Sequence, residues 1–148
     1  MYKRLVYVSQ AAPGVGARDT YDIIRVASNR NSHFGLTGAL LFLDGYFVQL
    51  LEGQHLQVQA RFQRIAQDAR HHSVSLRLAL DTHELLFPQD WMALRQASQI
   101  APGVLQAHGY LPGLPEAQFD ADRIVRFLLA SCGRALPASL AGPVPTLA

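Results

Sequence analysis

The segment Lys3–Ser9, KRLVYVS, alternates. Leu5, Tyr7 and Ser9 share one face and Val6 and Val8 the other, which predicts a short strand. The loop QAAPGVGA follows, and Asp19 or Thr20 is placed to cap a helix running to about Ser32. On that helix Ile23, Ala27 and Arg30 or Asn31 fall on one stripe, with Ile24 beside it. Leu36–Leu43, LTGALLFL, is almost wholly apolar and reads as a buried central strand. Asp44-Gly45 is a strong two-residue hairpin signal, so Tyr46–Glu52 becomes the antiparallel partner and Gly53 ends it. A second helix is predicted from about Leu56 to Ala69, because Val58, Phe62, Ile65 and Ala69 form one apolar stripe. Ser73–Leu80 alternates with Val74, Leu76, Leu78 and Leu80 inward, and Asp90–Arg95 is a plausible fifth strand.

The order β-α-β-β-α-β-β implies right-handed crossovers with both helices on one sheet face. This is an α+β, ferredoxin-like arrangement with an added strand. Pro102, Pro112 and Pro115 then break up a connector. Asp120–Cys132 is amphipathic, and its Ile124, Val125, Phe127, Leu128 and Leu129 are too many to leave wet. That helix is expected to cap the uncovered sheet face or a partner. The end, from Leu136 on, is expected to fray. The resulting division is a core unit of residues 1–97 and a C-terminal helical extension of residues 98–148.

Within FVQLLEG one residue breaks the apolar pattern. Gln49 shares a face with Phe47 and Leu51. A buried, unpartnered amide costs about 1–3 kcal/mol, so this one needs partners. Polar groups also gather at the helix ends: Asn29 and Asn31 on the first, Arg64, Asp68, Arg70 and His71 on the second. Taken singly, asparagines there read as caps and the charged cluster as a solvated surface. Together they describe a slot. A flat heterocycle would slide between Ile23 and Ile65, with its polar edge on the Asn, Asp, Arg and His groups and its far edge toward Tyr7 and Gln49. His71-His72 is a poor metal signal, since adjacent residues do not share a face. Gly14-Val15-Gly16 lacks the third glycine and the Lys-Ser/Thr of a phosphate loop.

Composition narrows the class. The chain has 148 residues, 49% of them hydrophobic, and a formal charge of +2, too little to point to nucleic acid. Cys132 is the lone cysteine, which removes a disulfide framework. No apolar run approaches the roughly 20 residues of a membrane span, so a cytoplasmic setting is expected. An RNA-binding sheet would need exposed aromatics on its central strands and a basic face; Tyr7 and Phe47 could stand for the aromatics, but the small charge and the DARHH stretch at Asp68–His72 argue against it.

YVS near the start, Asn31 six residues before Thr-Gly-x-Leu-Leu, FVQLLEG, and DARHH at Asp68–His72 together resemble the BLUF domains, blue-light sensors that use FAD. The resemblance covers residues 1 to about 97, with Tyr7, Asn31, Gln49 and Met92 in step. It implies FAD held non-covalently between the two helices, with cofactor contacts from Ile23, Asn31, Gln49, Arg64, Ile65, Asp68, Arg70 and His71. It implies that Tyr7 donates an electron and a proton, and that Gln49 lies between Tyr7 and the flavin. Met92 matches the methionine of the last strand. Two departures stand out. Arg30-Asn31 replaces the family's common pair of asparagines. In the family's F-x-x-W-S-M, Asp90 takes the tryptophan's place and Trp91 is shifted by one, so either Trp91 points away from the flavin or a bulge restores it, and Met92 is expected on the Gln49 side. Residues 98–148 are expected to be too few to encode a cyclase or other output domain. The expectation is therefore a photosensor without its own enzymatic output, signalling through its C-terminal helices to an unidentified protein or to further copies of itself. The alternative is a non-photochemical ferredoxin-like module that binds a ligand or a protein.

Overall fold

The computed structural model describes residues 1–140; within the first helix the side chains of Ala17, Thr20, Tyr21, Ile23, Ile24, Arg25, Ala27, Ser28 and Asn29 lie outside that description. The elements are β1 (Tyr2–Ala11), α1 (Ala17–Phe34), β2 (Thr37–Leu43), β3 (Tyr46–Gly53), α2 (His55–Ala66), β4 (His71–Thr82), β5 (Ala93–Gln96), α3 (Pro102–Ala107) and α4 (Ala121–Ser131). The sheet order is β4-β1-β3-β2-β5. β1 pairs antiparallel with β3 and β4, β2 antiparallel with β3, and β5 parallel with β2.

Local chemistry explains most of the element ends. Asp44 and Gly45 both take positive φ, 52° and 80°, as the tight hairpin twist requires. Gly38 lets β2 approach β3 closely: a Cβ there would lie 1.9 Å from the Leu50 carbonyl oxygen. The first helix starts earlier than Asp19 or Thr20. Gly16 is its N-cap, and the Asp19 carboxylate sits one turn in, accepting the Gly16 N–H at 3.0 Å. The second helix stops at Ala66 rather than Ala69, so Asp68 and Arg70 lie in the turn that leads into β4.

Alternation divides the strands between two cores. Val6, Val8, Ala39, Leu41, Val48 and Leu50 pack beneath Ile124, Phe127 and Leu128 of α4. The C-terminal helix therefore caps the sheet face opposite α1 and α2. Leu5, Tyr7, Leu40, Phe47 and Leu51 face the other way, toward Val58 and Met92. The expectation for β4 needs correcting. Its pairing with β1 slips between Val6 and Tyr7 and again between Val8 and Gln10. The slips move Val74 to the Tyr7 side and Leu78 to the Val6 side, while Leu76 and Leu80 stay largely exposed. The tail is better held than expected as far as Leu140. Ser139 Oγ donates to Glu84 at 2.8 Å, and Arg126 donates to the Leu140 carbonyl. The remainder of that expectation, residues 141–148, lies outside the described residues.

One buried ion pair ties the sheet to the segment before β5. Glu52, fully buried, accepts from Arg4 Nε at 2.9 Å, from Leu86 N at 2.8 Å and from Phe87 N at 3.0 Å. Arg4 also donates to the Glu84 carbonyl at 2.9 Å. Each carboxylate oxygen is satisfied, which is the condition under which a buried charge is tolerated.

Candidate functional site

β1 and β3 set Tyr7 directly opposite Gln49, and β2 sets Leu40 opposite Gln49 on its other side. The amide thus stands at mid-sheet, 4% exposed. Its partners are in place. Tyr7 Oη donates to Gln49 Oε1 at 2.5 Å, and Gln49 Nε2 donates to Met92 Sδ at 3.5 Å. Burial, and secondarily the charge of Asp68, push the Tyr7 phenol well above its ordinary range. Ionising it alone is therefore costly, and its proton is held at the oxygen.

Met92 is buried beside Tyr7 and Gln49, whereas Trp91 is 46% exposed. No bulge brings the indole back to the cleft. The Trp91 backbone still reaches the site, because its carbonyl accepts from Asn31 Nδ2 at 2.7 Å. Asp90, one residue earlier, faces outward. Its backbone carbonyl accepts from Gly38 N at 3.0 Å, and its carboxylate holds Arg134, just past α4, at 2.8 Å. Three consecutive residues thus touch the C-terminal helix end, the end of α1 and the Gln49 amide.

A cleft opens between α1 and α2 above this floor, enclosing about 730 Å³ of empty space that includes its mouth. Tyr7, Asn31, Gln49, Arg64, Ile65, Asp68, Arg70 and His71 all line it. Ile23, expected across from Ile65, has its side chain outside the described residues. Met92 lies beneath the floor rather than on the wall, in contact through Gln49. His71 is fixed at both nitrogens: Nδ1 meets Ser9 Oγ at 2.7 Å and Nε2 meets the Ile65 carbonyl at 2.5 Å. A carbonyl only accepts, so the proton sits on Nε2. Asp68 is gripped by Arg70, with Nε at 2.9 Å from Oδ1, and this bond holds its carboxyl below the usual range against some opposing desolvation.

Arg30, which stands in place of the family's asparagine, lines the cleft as well, and Val26, Leu40 and Arg61 are lining residues that sequence reasoning did not single out. Arg61 is 8% exposed on the α1-facing flank of α2. Among the described residues, four buried side-chain polar atoms have no partner, and two of them, Asn31 Oδ1 and Arg61 Nε, belong to the cleft. Unmet groups of this kind mark where a ligand's polar atoms belong. An apolar slot floored by a phenol and an amide, with open acceptor and donor groups at one end, fits a planar heterocycle.

Fold and cleft together define a small α+β ligand-binding domain of ferredoxin-like topology. Residues 2–93 match the family described as "BLUF: Sensors of blue-light using FAD", and the chain belongs to that family. It is 38% identical over 87 residues to the photoactivated adenylate cyclase subunit beta of Euglena gracilis, covering 59% of this chain and 10% of that protein. The chain thus spans about a tenth of the length of that relative. Among solved structures it is similar to "BlrB - a BLUF protein, dark state structure" with a TM-score of 0.71 at 27% identity, covering 88% of this chain and 96% of that one. The photo-activated state of BlsA shares the fold, with a TM-score of 0.79 at 23% identity over 93% of this chain and 99% of that one. The family's chromophore is FAD, and the donors, acceptors and apolar walls of the cleft suit its ring. No helix among the described residues is long and apolar enough to cross a membrane.

Proposed function

We propose that the chain is a cytoplasmic blue-light receptor in which Tyr7 and Gln49 form the switch and the residues before β5 carry its output. The observation that supports this most is the continuous contact Tyr7–Gln49–Met92 at the cleft floor. FAD, when bound, supplies blue-light absorption and, once excited, a strong demand for an electron. Tyr7 meets that demand. Because its phenol resists ionisation, it releases the electron and the proton together, and Gln49 Oε1 stands ready to receive the proton. When electron and proton return to Tyr7, the Gln49 amide is left turned over or tautomerised. An amide suits this role because it presents a donor and an acceptor within one small group. Turned over, it would offer oxygen to Met92, whose sulfur cannot donate, and that contact would be lost. Met92 is adjacent to Trp91 and Asp90, so the change runs toward Asn31 and Arg134.

Residues 1–97 are then the photosensory unit and residues 98–148 the output segment, acting on a protein partner or on further copies of the chain. The role is sensory rather than enzymatic. The test is spectroscopic. Purified protein loaded with FAD should be yellow, with an oxidised-flavin spectrum and a small reversible red shift after blue light. Protein that stays colourless after reconstitution would overturn the reading and favour a non-photochemical binding module.

A further inference from the structure

We propose that residues 134–139 form a strap pinned across the segment before β5, by Arg134 on Asp90 and by Ser139 on Glu84, and that light opens its Asp90 end while its Glu84 end holds. The inference rests on the photosensory reading above. Gly133, at φ 67°, closes α4, and Arg134 N donates back to the Leu129 carbonyl at 2.9 Å. The Arg134 guanidinium then meets both Asp90 carboxylate oxygens, at 2.9 and 2.8 Å, and Ser139 Oγ donates to the Glu84 carboxylate at 2.8 Å. The later strap residue meets the earlier segment residue, so the two stretches run side by side in opposite directions. Past the second pin the strap closes on α4. Leu140 packs against the core beneath that helix, and its carbonyl accepts from Arg126.

The strap is attached to that segment by side chains. Among the described residues no backbone hydrogen bond joins residues 83–92 to residues 133–140, so the strap can open without any element unfolding. Both pins are exposed to solvent, and contacts of that kind are individually weak, so a state they hold stands close to balance. Their placement makes them unequal. Arg4 and Glu52 hold the backbone of Glu84, Leu86 and Phe87. At the other end Asn31 holds the Trp91 carbonyl and Gln49 holds Met92. Between these anchors Asp90 keeps a single backbone bond to the sheet among the described residues, from Gly38 N at 3.0 Å. Loss of the Gln49–Met92 contact therefore loosens the stretch that carries Asp90. Glu84 lies on the far side of the Glu52 anchor and stays where it is. Asp90 stands where the family's tryptophan is expected, so this pin belongs to the chain's own sequence.

The experiment measures hydrogen exchange by mass spectrometry on the full-length, FAD-loaded protein, in the dark and under blue light. The amide of Arg134 and its neighbours should exchange at least about fivefold faster in light, the weight of one ordinary hydrogen bond. The amides of residues 138–140 should change less. Ser139→Ala should raise dark exchange at 138–140 and leave the red shift as it was. Arg134→Asp should bring dark exchange around residue 134 to the lit level, with little further gain on illumination. Adding Asp90→Arg to that variant remakes the pair with its charges exchanged, and should restore both the dark protection and the light-induced gain. A normal red shift with unchanged exchange at 133–140 would overturn the proposal. So would an equal gain along the whole strap, or a charge-exchanged protein that behaves like Arg134→Asp alone. Failure of the photosensory reading looks different: FAD does not bind saturably, or no red shift develops, and the strap then has nothing to open it.

Discussion

The two faces of the sheet are built from alternate residues of the same strands, yet they are different materials. Beneath α4 the sheet face is aliphatic, and the helical extension lays aromatic side chains over it. Phe127 is fully buried, stacks on Tyr110 at 5.6 Å and meets Phe119 and His108 edge-on. On the cleft side the same strands present a phenol, an amide and a thioether in series, with unmet polar atoms above them. The larger of the two apolar clusters lies on the α4 side, which lets the cleft side hold groups that a pure core would reject. Period-two alternation makes this separation possible, because neighbouring residues never compete for one environment.

Breaking the α4-side core should have the largest effect. Phe127→Ala is expected to cost about 3–5 kcal/mol, read as a drop in urea midpoint, with the red shift intact in whatever fraction stays folded. Glu52→Ala leaves Arg4 buried without its carboxylate, so a loss of about 3–5 kcal/mol is expected in the same assay. Because Glu52 also pins the segment that carries Met92, that variant should slow or weaken the light response as well. On the cleft face the order reverses. Tyr7→Phe and Gln49→Leu should change stability by only about 1 kcal/mol, yet each should bind flavin and lose the red shift entirely. A normal shift in either would break the assigned roles. Arg134→Ala should be the mildest, within about 1 kcal/mol for so exposed a pair. Its red shift should be normal, while light-dependent hydrogen exchange in α4 falls; unchanged exchange would detach the Asp90 contact from the output.

A pH series sharpens the comparison further. The Tyr7 phenol is pushed up from its ordinary 10.0 by burial, and Tyr110 on the other face is also pushed up, by burial and then by its bond to Asp44. Below about pH 10 both are neutral in the folded and unfolded chain and add no pH dependence. Above it the unfolded chain loses protons first, so stability falls as pH rises. Tyr7→Phe should flatten part of that alkaline decline, measured by urea midpoints on either side of pH 10.

The fold could be read from sequence wherever one residue type dominated a local choice. Asp44-Gly45 forced the hairpin, the stripe of Ile124, Phe127 and Leu128 forced a covering helix, and Gln49 stood out because an amide in an apolar strand needs partners. β4 was misread because its extra residues fall around Ser73 and Arg77, which carry no glycine to announce a bulge. Arg61 was invisible for a related reason. An arginine on an amphipathic helix reads as solvated, and only the approach of α1 makes it buried. Glu52 was equally silent, since its partners Leu86 and Phe87 contribute backbone N–H groups that no side-chain pattern reports.

The slipped pairing of β4 has a consequence for how copies of this chain meet. β4 is the outer strand at one end of the sheet, twelve residues long, with Leu76 and Leu80 exposed along it. A straight strand of that length would be a template for another chain's backbone. The two irregularities and the left-handed turn at Ser73, φ 55°, interrupt the ladder of free N–H and C=O groups. At the opposite end β5 offers only four residues. Neither end of the sheet can be extended by a long regular strand, so copies of the chain can crowd together without their sheets fusing into one.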